Sequence, residues 1–242
     1  MNPTPFPFED FRRAQQRLHR ALFEHHEPFV LLTGETGTGK TALLRELRAQ
    51  IDRARYRVVY FAQARKLGAV GLIKVLGEAL RVRTSLCHAL SLERLLRALA
   101  EDPRTLLLWL DEAHELPEET LAEARAITES DLAGTGPIQV LLVGLPKLRA
   151  QLQAQPALWR RIGVREEITG LLFEELNAFL EHHFAAPQRL CEQGLSALFE
   201  RAKGVPGLLL PRYRTILARA GSDNGPVDPA EVEDTLERWD LV

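Results

Sequence analysis

The segment from position 34 to position 41 reads GETGTGKT and fits the phosphate-binding pattern G-x-x-x-x-G-K-[ST] in full. Glycines let backbone N–H groups turn toward phosphate oxygens, and the start of a helix adds a favourable dipole. Lys40 can reach the β- and γ-phosphates of a nucleotide, and the Thr41 hydroxyl can ligate Mg²⁺. The residues predicted to bind ATP in this loop are Gly34, Glu35, Thr36, Gly37, Thr38, Gly39, Lys40 and Thr41.

Two consecutive acids, Asp111 and Glu112, follow a run of five apolar residues, LLLWL. Such a run predicts a buried strand, and ligands bind at the carboxyl ends of strands in open parallel sheets. Asp111 is therefore predicted to bind the nucleotide through Mg²⁺, and Glu112 to orient or deprotonate the attacking water. His114 completes the letters DEAH, a helicase signature, but that class needs two tandem domains, and 242 residues with one phosphate loop cannot hold them. We interpret the tetrapeptide as an ATPase acid pair and His114 as incidental.

Helical patterns alternate with apolar runs that predict strands. The runs occupy 28–34, 56–62, 105–110 and 138–144. Near-continuous apolar strands separated by helices indicate a parallel sheet covered on both faces, an α/β fold of the P-loop NTPase type. After Thr169 the strand pattern ends and the pattern becomes helical. We therefore predict an α/β nucleotide-binding core with an N-terminal helix over 1–169 and a small all-helical lid over 170–242.

Composition limits the class of protein. The chain is 45% hydrophobic and 26% charged, which is ordinary for a soluble globular protein, and its formal net charge is −2. That charge argues against a protein that coats DNA through bulk charge, although it is compatible with a local basic surface. Cys87 and Cys191 lack metal-ligand spacing and fit a reducing compartment. With neither a secretory signal nor an apolar run that could span a membrane, we predict a cytoplasmic protein.

The order of these motifs resembles that of AAA+ ATPases, and within them the bacterial group of ExeA-type ATPases and the transposition helpers TniB and Mu B. The segments that carry the resemblance are LLTGETGTGKTALLREL, LLLWLDEAHELPEETLAEAR, IQVLLVGLPKLRAQL and LWRRIGVREEITGLLFEEL. With the helical lid, the resemblance covers most of the chain from Phe29 onward. It implies the AAA+ fold, ATP hydrolysis with Mg²⁺, and assembly of the chain into a ring or helical filament.

Two positions depart from the family pattern. The family has a polar residue directly after the fourth strand, where this chain has Leu145. ExeA-like members carry an arginine after the Gly-x-Pro of the lid, where this chain has Gly207. Both departures predict slow hydrolysis or dependence on a partner. The missing lid arginine fits the transposition helpers better than the secretion ATPases.

Arg160, Arg161 and Arg165 precede or begin the last strand, where the family presents an arginine finger to the neighbouring subunit. A guanidinium group suits the charge that spreads over a phosphoryl group during transfer. We predict that Arg161, and after it Arg165, is the finger. A solvated basic surface is the alternative for each of the three arginines.

The segment after the second strand faces the central channel of the ring or filament in the family, and here it contains Arg65, Lys66 and Lys74. These cations are predicted to contact the phosphates of duplex DNA without base specificity. The resemblance then implies a homo-oligomeric ATPase that assembles on duplex DNA in its ATP form and delivers target DNA to a transposase or activates it. Two alternatives stay open, an ExeA-like ATPase for secretion or envelope assembly and a nucleotide-gated scaffold with little turnover.

Overall fold

The computed structural model describes residues 5–62, 67–129, 138–184, 189–221 and 225–240. The strands are β1 (Phe29–Gly34), β2 (Tyr56–Phe61), β3 (Thr105–Leu110), β4 (Ile138–Gly144) and β5 (Ile162–Ile168). The helices are α1 (Glu9–Phe23), α2 (Lys40–Ala49), α3 (Ala69–Leu80), α4 (His88–Glu101), α5 (Glu118–Glu129), α6 (Lys147–Gln153), α7 (Pro156–Trp159), α8 (Leu176–Phe184), α9 (Glu192–Ala202), α10 (Pro206–Arg219) and α11 (Pro229–Asp240). Within these ranges, no helix has both the length and the apolar character needed to cross a lipid bilayer.

The strands form a five-stranded sheet in the order β2-β3-β4-β1-β5. The pairs β1–β4, β3–β4 and β2–β3 are parallel. Strands β1, β3 and β4 are buried along their whole length, which explains why their sequences are mostly apolar rather than alternating. The predicted α/β fold with a parallel sheet is confirmed. Strands β3 and β4 have the predicted bounds, while β1 and β2 are each one residue shorter than predicted.

The chain divides into two compact units, and the larger contains residues 16–34 and 44–167. One buried cluster joins the strands of this unit to α3, α4 and α5, and it includes Leu76, Leu95, Leu108, Leu121 and Leu142. Complete burial of one leucine side chain stabilises a fold by roughly 1.5–3 kcal/mol. The residues that directly follow β3 and β4, which belong to the same unit, are therefore held on a rigid support.

The smaller unit contains residues 1–15, 35–43 and 168–242. Its helices α9, α10 and α11 pack on one another. The buried side chains of this unit include Phe179, Leu198, Leu209 and Ile216. Helix α10 starts with Pro206. Proline lacks a backbone N–H, and at the first position of a helix this group would have no partner within the helix in any case. This unit thus holds the helices predicted as a lid, together with the glycine-rich loop.

Strand order brings two predicted site residues to one edge of the sheet. Strands β1 and β3 both pair with β4 in parallel register. Gly34 ends β1, and Asp111 directly follows β3. Both residues therefore lie at the carboxyl edge of the sheet, on either side of β4, which is the edge where α/β proteins bind ligands.

Candidate nucleotide-binding site

The glycine-rich loop is closed by hydrogen bonds to one of its own carbonyl groups. The carbonyl oxygen of Glu35 accepts hydrogen bonds from the Thr38 hydroxyl (2.9 Å) and from Nζ of Lys40 (2.8 Å). Gly37 and Gly39 have φ angles of 87° and 104°, in the left-handed region that favours glycine. Thr38 and Lys40 are buried, so the lysine ammonium is held within the loop rather than in solvent.

The loop residues fit the phosphates of a nucleotide. Helix α2 begins at Lys40, so its positive dipole end and the lysine cation lie together, as anion binding requires. Glu35 and Thr36 are exposed, and Thr41 is exposed as the second residue of α2, with its hydroxyl in the position that the motif assigns to a magnesium ligand. Positive φ angles at Gly37 and Gly39, on either side of Thr38 and just before a helix start, let successive backbone N–H groups form a concave anion-binding loop.

The start of α10 touches this loop directly, within the same unit. The Gly207 N–H donates a hydrogen bond to the Gly37 carbonyl oxygen at 2.9 Å. A Cβ atom added at Gly207 would lie 2.7 Å from Cα of Gly37, closer than real Cβ contacts occur. Gly207 occupies the position at which the family resemblance predicts an arginine. The structure therefore gives the physical reason for glycine there, because a backbone contact fills the space.

Gly207→Ala is expected to lower the free energy of unfolding by about 1–3 kcal/mol, as overpacking does at a tightly packed site. The cost arises because the backbone of Gly37, and not a flexible side chain, would have to move. Gly194→Ala is the matched control, since a Cβ at this position in α9 would make only ordinary contacts at 3.5 Å. Urea denaturation measures the free energy of unfolding of both variants. Equal changes in the two would show that the close contact with Gly37 does not make the substitution at Gly207 more costly.

The two acids after β3 have different surroundings. Asp111 is buried, and its Oδ2 accepts a hydrogen bond from the Tyr60 hydroxyl at 2.9 Å while its Oδ1 accepts one from the Glu112 N–H at 2.9 Å. Burial and the bond to Asp111 raise the pKa of Tyr60 to about 12, so this tyrosine stays protonated and remains a donor. The Asp111 carboxylate is thereby fixed in orientation.

Glu112 has a strained backbone. Its φ of 54° and ψ of 34° lie in the left-handed region, which costs a residue with a side chain on the order of 1–3 kcal/mol. Its side chain is 47% exposed, in contrast to that of Asp111. Strain of this kind concentrates at functional sites, where the surrounding structure enforces it. The sharp turn separates a buried, oriented carboxylate from an accessible one.

His114 is buried and lies close to Glu112. Its Nδ1 accepts a hydrogen bond from the Leu145 N–H at 3.2 Å, so in the neutral ring the proton is on Nε2. Nε2 lies 3.5 Å from a carboxylate oxygen of Glu112 and 3.4 Å from one of Glu115. The interpretation of His114 as incidental does not account for this arrangement. Leu145 contributes only its backbone N–H to this contact, so the residue type at this position does not predict it.

The corner after β4 is joined to the turn that contains His114 by further contacts. A Cβ at Gly144 would lie 3.0 Å from Nδ1 of His114, so the absence of a side chain lets the imidazole approach. Nε2 of Gln151 donates to the His114 carbonyl oxygen at 3.2 Å, and Nζ of Lys147 lies 3.2 Å from Glu115. The residues after β3 and after β4 thus form one connected structure.

All three predicted arginine-finger residues lie in the described part of the chain. Arg160 is exposed. Nε of Arg161 lies 2.9 Å from the Glu129 carboxylate in an exposed ion pair, which is worth only about 0–1 kcal/mol. Arg165 stacks over the Trp159 ring at 4.0 Å and donates to the Trp159 carbonyl oxygen at 2.7 Å. Arg161 is therefore held by weaker contacts than Arg165.

Of the three residues predicted to contact DNA, one lies within the described residues. Arg65 and Lys66 lie outside the described residues. Lys74 is exposed on α3. Their role stays a prediction.

The first strand of the parallel sheet leads into a glycine-rich loop with a lysine at the helix start, and the third strand is followed by an acid pair. This arrangement defines the P-loop fold class of nucleotide-binding domains. The family described as an AAA domain matches residues 23–152, which is more than half of the chain. The chain belongs to this AAA domain family.

The chain is also similar to particular proteins. General secretion pathway protein A of Aeromonas hydrophila is 29% identical over 196 residues, which cover 75% of this chain and 35% of the relative. This chain therefore spans about a third of that relative's length. The structure of Cdc6p from Pyrobaculum aerophilum superimposes with a TM-score of 0.72 at 20% identity and covers 98% of this chain and 69% of that one. The Aeropyrum pernix ORC1 protein in complex with DNA gives 0.64 at 22% identity, with 98% and 65% covered. At these identities, the solved structures show a common fold.

Proposed function

We propose that this chain is an AAA+ ATPase that assembles on duplex DNA in its ATP form and delivers target DNA to a transposase or activates it. The observation that carries the proposal is the backbone contact at Gly207, which fills the position where the secretion ATPases that the chain resembles have an arginine. An ATPase without that side chain is expected to turn over slowly and to act as a switch. The likeness to the ORC1 protein in complex with DNA is consistent with a DNA-dependent role.

Nucleotide binding is assigned to the glycine-rich loop. Lys40 supplies positive charge to the β- and γ-phosphates, and the N–H groups at the start of α2 donate to phosphate oxygens. Bound Mg²⁺ supplies further positive charge that stabilises phosphoryl transfer, and Thr41 and Asp111 are the side chains expected to ligate it. Tyr60 keeps Asp111 oriented for this role.

Water activation is assigned to Glu112, the accessible acid of the pair. Nε2 of His114 lies 3.5 Å from an oxygen of Glu112 and 3.4 Å from one of Glu115, and we assign His114 as a positioning residue that restrains the Glu112 carboxylate. The Leu145 N–H sets the orientation of the imidazole. In this way His114 supplies the polar group that a residue after the fourth strand provides in the family that the chain resembles. Arg161 of a neighbouring subunit would complete the site.

DNA binding is the decisive test of the proposal. With a net charge of −2, a single chain should bind duplex DNA weakly, whereas assembly adds contacts from each subunit. If the assembly neutralises about 6–10 phosphates, affinity should fall ~10³–10⁵-fold between about 50 and 200 mM salt. Fluorescence anisotropy with a labelled duplex, with and without ATP, measures both the nucleotide dependence and the salt slope. We expect ATP-dependent, sequence-tolerant binding.

Paired variants make this test specific. Arg65→Ala/Lys66→Ala should flatten the salt slope and leave ATP affinity unchanged, because these residues are predicted to contact phosphates only. The control pair Arg12→Ala/Arg20→Ala removes the same charge from exposed positions on α1 and should leave the slope unchanged. Equal DNA binding with and without ATP would reject the proposal.

A role in secretion is the second candidate, because the chain is similar to General secretion pathway protein A of Aeromonas hydrophila. A secretion ATPase would release phosphate from ATP without any response to duplex DNA. A nucleotide-gated scaffold would bind ATP and release no phosphate. Measurement of steady-state phosphate release in the presence and absence of DNA therefore separates the three functions.

A further inference from the structure

A cavity of about 300 Å³ in the larger unit is lined by four arginines, Arg48, Arg53, Arg57 and Arg104. Arg57 is the second residue of β2, and Arg104 directly precedes β3. Because the two strands pair in parallel with Tyr56 opposite Thr105, the cavity lies at the amino edge of the sheet. The acid pair follows the other end of β3. The cavity is therefore separate from the carboxyl edge at which we place ATP chemistry.

Two of the arginines are held rigidly by Asp102. Nη2 of Arg57 lies 2.8 Å from Oδ2 of Asp102, and its Nη1 donates to the Ala79 carbonyl oxygen at 2.7 Å. Arg104 makes a two-point contact with the same carboxylate, with Nε at 2.9 Å from Oδ1 and Nη2 at 3.0 Å from Oδ2. A guanidinium group whose plane is already fixed loses little conformational freedom when it binds a ligand.

The other two arginines leave the cavity with excess positive charge. Arg48 and Arg53 are exposed, and neither has an ion-pair partner among the residues that the structure describes. Asp102 is the carboxylate bonded to the remaining two. The cavity is thus lined by four guanidinium groups, and one carboxylate, that of Asp102, is bonded to two of them. Such an excess of charge in a concave site focuses the electrostatic potential and favours an anion.

Two polar groups at the cavity lack hydrogen-bond partners in the described part of the protein. The Tyr56 hydroxyl is buried and unpaired, and so is Nε of Arg57. Tyr56 also lines the cavity. Buried donors are almost always satisfied in native proteins, and an unsatisfied one calls for an unseen partner. Both of these groups can donate to an anion.

We propose that this arginine cavity binds the phosphate group of a phosphorylated ligand. The planar fork of arginine matches the oxygens of phosphate in a two-point contact, and the hydroxyl of Tyr56 adds a further donor. Ile51 and Val58 provide an aliphatic part of the wall beside the charged groups. The phosphate belongs either to a free small molecule or to a nucleic-acid backbone. This proposal does not rest on the proposed ATPase function.

Titration calorimetry with inorganic pyrophosphate tests the cavity in full-length protein that carries Lys40→Ala, so that the glycine-rich loop no longer holds its phosphate-binding cation. We expect saturable binding. Adding Arg48→Ala/Arg53→Ala should weaken it about tenfold or more, because two charge-assisted contacts are lost. Adding Arg12→Ala/Arg20→Ala instead removes the same charge from α1 and should leave the affinity unchanged. Thermal unfolding of each protein confirms that the fold is retained.

Absence of saturable binding to the Lys40→Ala protein would overturn the proposal, as would equal weakening by the two arginine pairs. Competition with a short DNA duplex identifies the source of the phosphate. A duplex that displaces pyrophosphate, and whose own affinity falls with Arg48→Ala/Arg53→Ala, supports the site and assigns it to a nucleic-acid backbone. Pyrophosphate binding that the duplex does not affect supports the site and assigns it to a free phosphorylated molecule.

Discussion

Lys40→Ala is expected to remove most ATP binding, with affinity reduced about 100-fold or more, because hydrogen bonds to charged groups are the strongest polar contacts that a protein makes. The lysine is buried in the loop, and its Nζ also holds the loop closed through the Glu35 carbonyl oxygen. Its replacement therefore removes both the cation for the phosphates and one of the contacts that shape the loop. Equilibrium titration with a fluorescent ATP analogue measures the loss directly.

Arg12→Ala is the matched control, since it removes one positive charge from an exposed position in the same unit. It should leave ATP affinity unchanged. A second readout is the melting temperature, which ATP should raise in the unmodified protein and in Arg12→Ala but not in Lys40→Ala. If Lys40→Ala were stabilised by ATP as strongly as the unmodified protein, nucleotide would have to bind elsewhere.

The elements that carry the site can be predicted because their chemistry is local in the sequence. Strands β3 and β4 are buried along their whole length, so their residues are mostly apolar, with Thr105 and Gln139 as the polar exceptions, and charge or glycine marks where they end. The phosphate loop needs particular residue types at fixed spacing in one continuous segment, so it can be recognised from the sequence alone. The parallel sheet follows from helices that separate such strands.

The contacts that complete the site join distant positions, and no local pattern marks them. Tyr60 donates to Asp111 across 51 positions, and the Leu145 N–H donates to His114 across 31 positions. Both contacts depend on β2, β3 and β4 being neighbours in the sheet. In the sequence, a tyrosine in an apolar strand and a leucine after one look like core residues. The same limit applies to Arg165, whose stacking on the Trp159 ring is not marked by any pattern in the sequence.

Glu112→Gln is expected to retain ATP and to lower turnover by about 10²–10⁴-fold, the range typical of the loss of a general base. The amide has nearly the shape of the carboxylate but cannot take a proton from water. Asp111 keeps its bonds to Tyr60 and to the Glu112 N–H, so the acid expected to ligate Mg²⁺ is undisturbed. Single-turnover phosphate release, together with an ATP-binding titration, measures the two effects separately. The variant should accumulate the ATP-bound assembly.

Glu115→Gln is the control for this change because it is chemically identical and alters the other carboxylate near Nε2 of His114. Glu115 has no part in the proposed reaction, so turnover should stay close to that of the unmodified protein. A loss of ATP binding in Glu112→Gln as complete as in Lys40→Ala would mean that Glu112 holds the nucleotide rather than activates water. Equal loss of turnover in both glutamine variants would instead assign the effect to the surroundings of His114, because each removes one of the two carboxylates that lie within 3.5 Å of its Nε2.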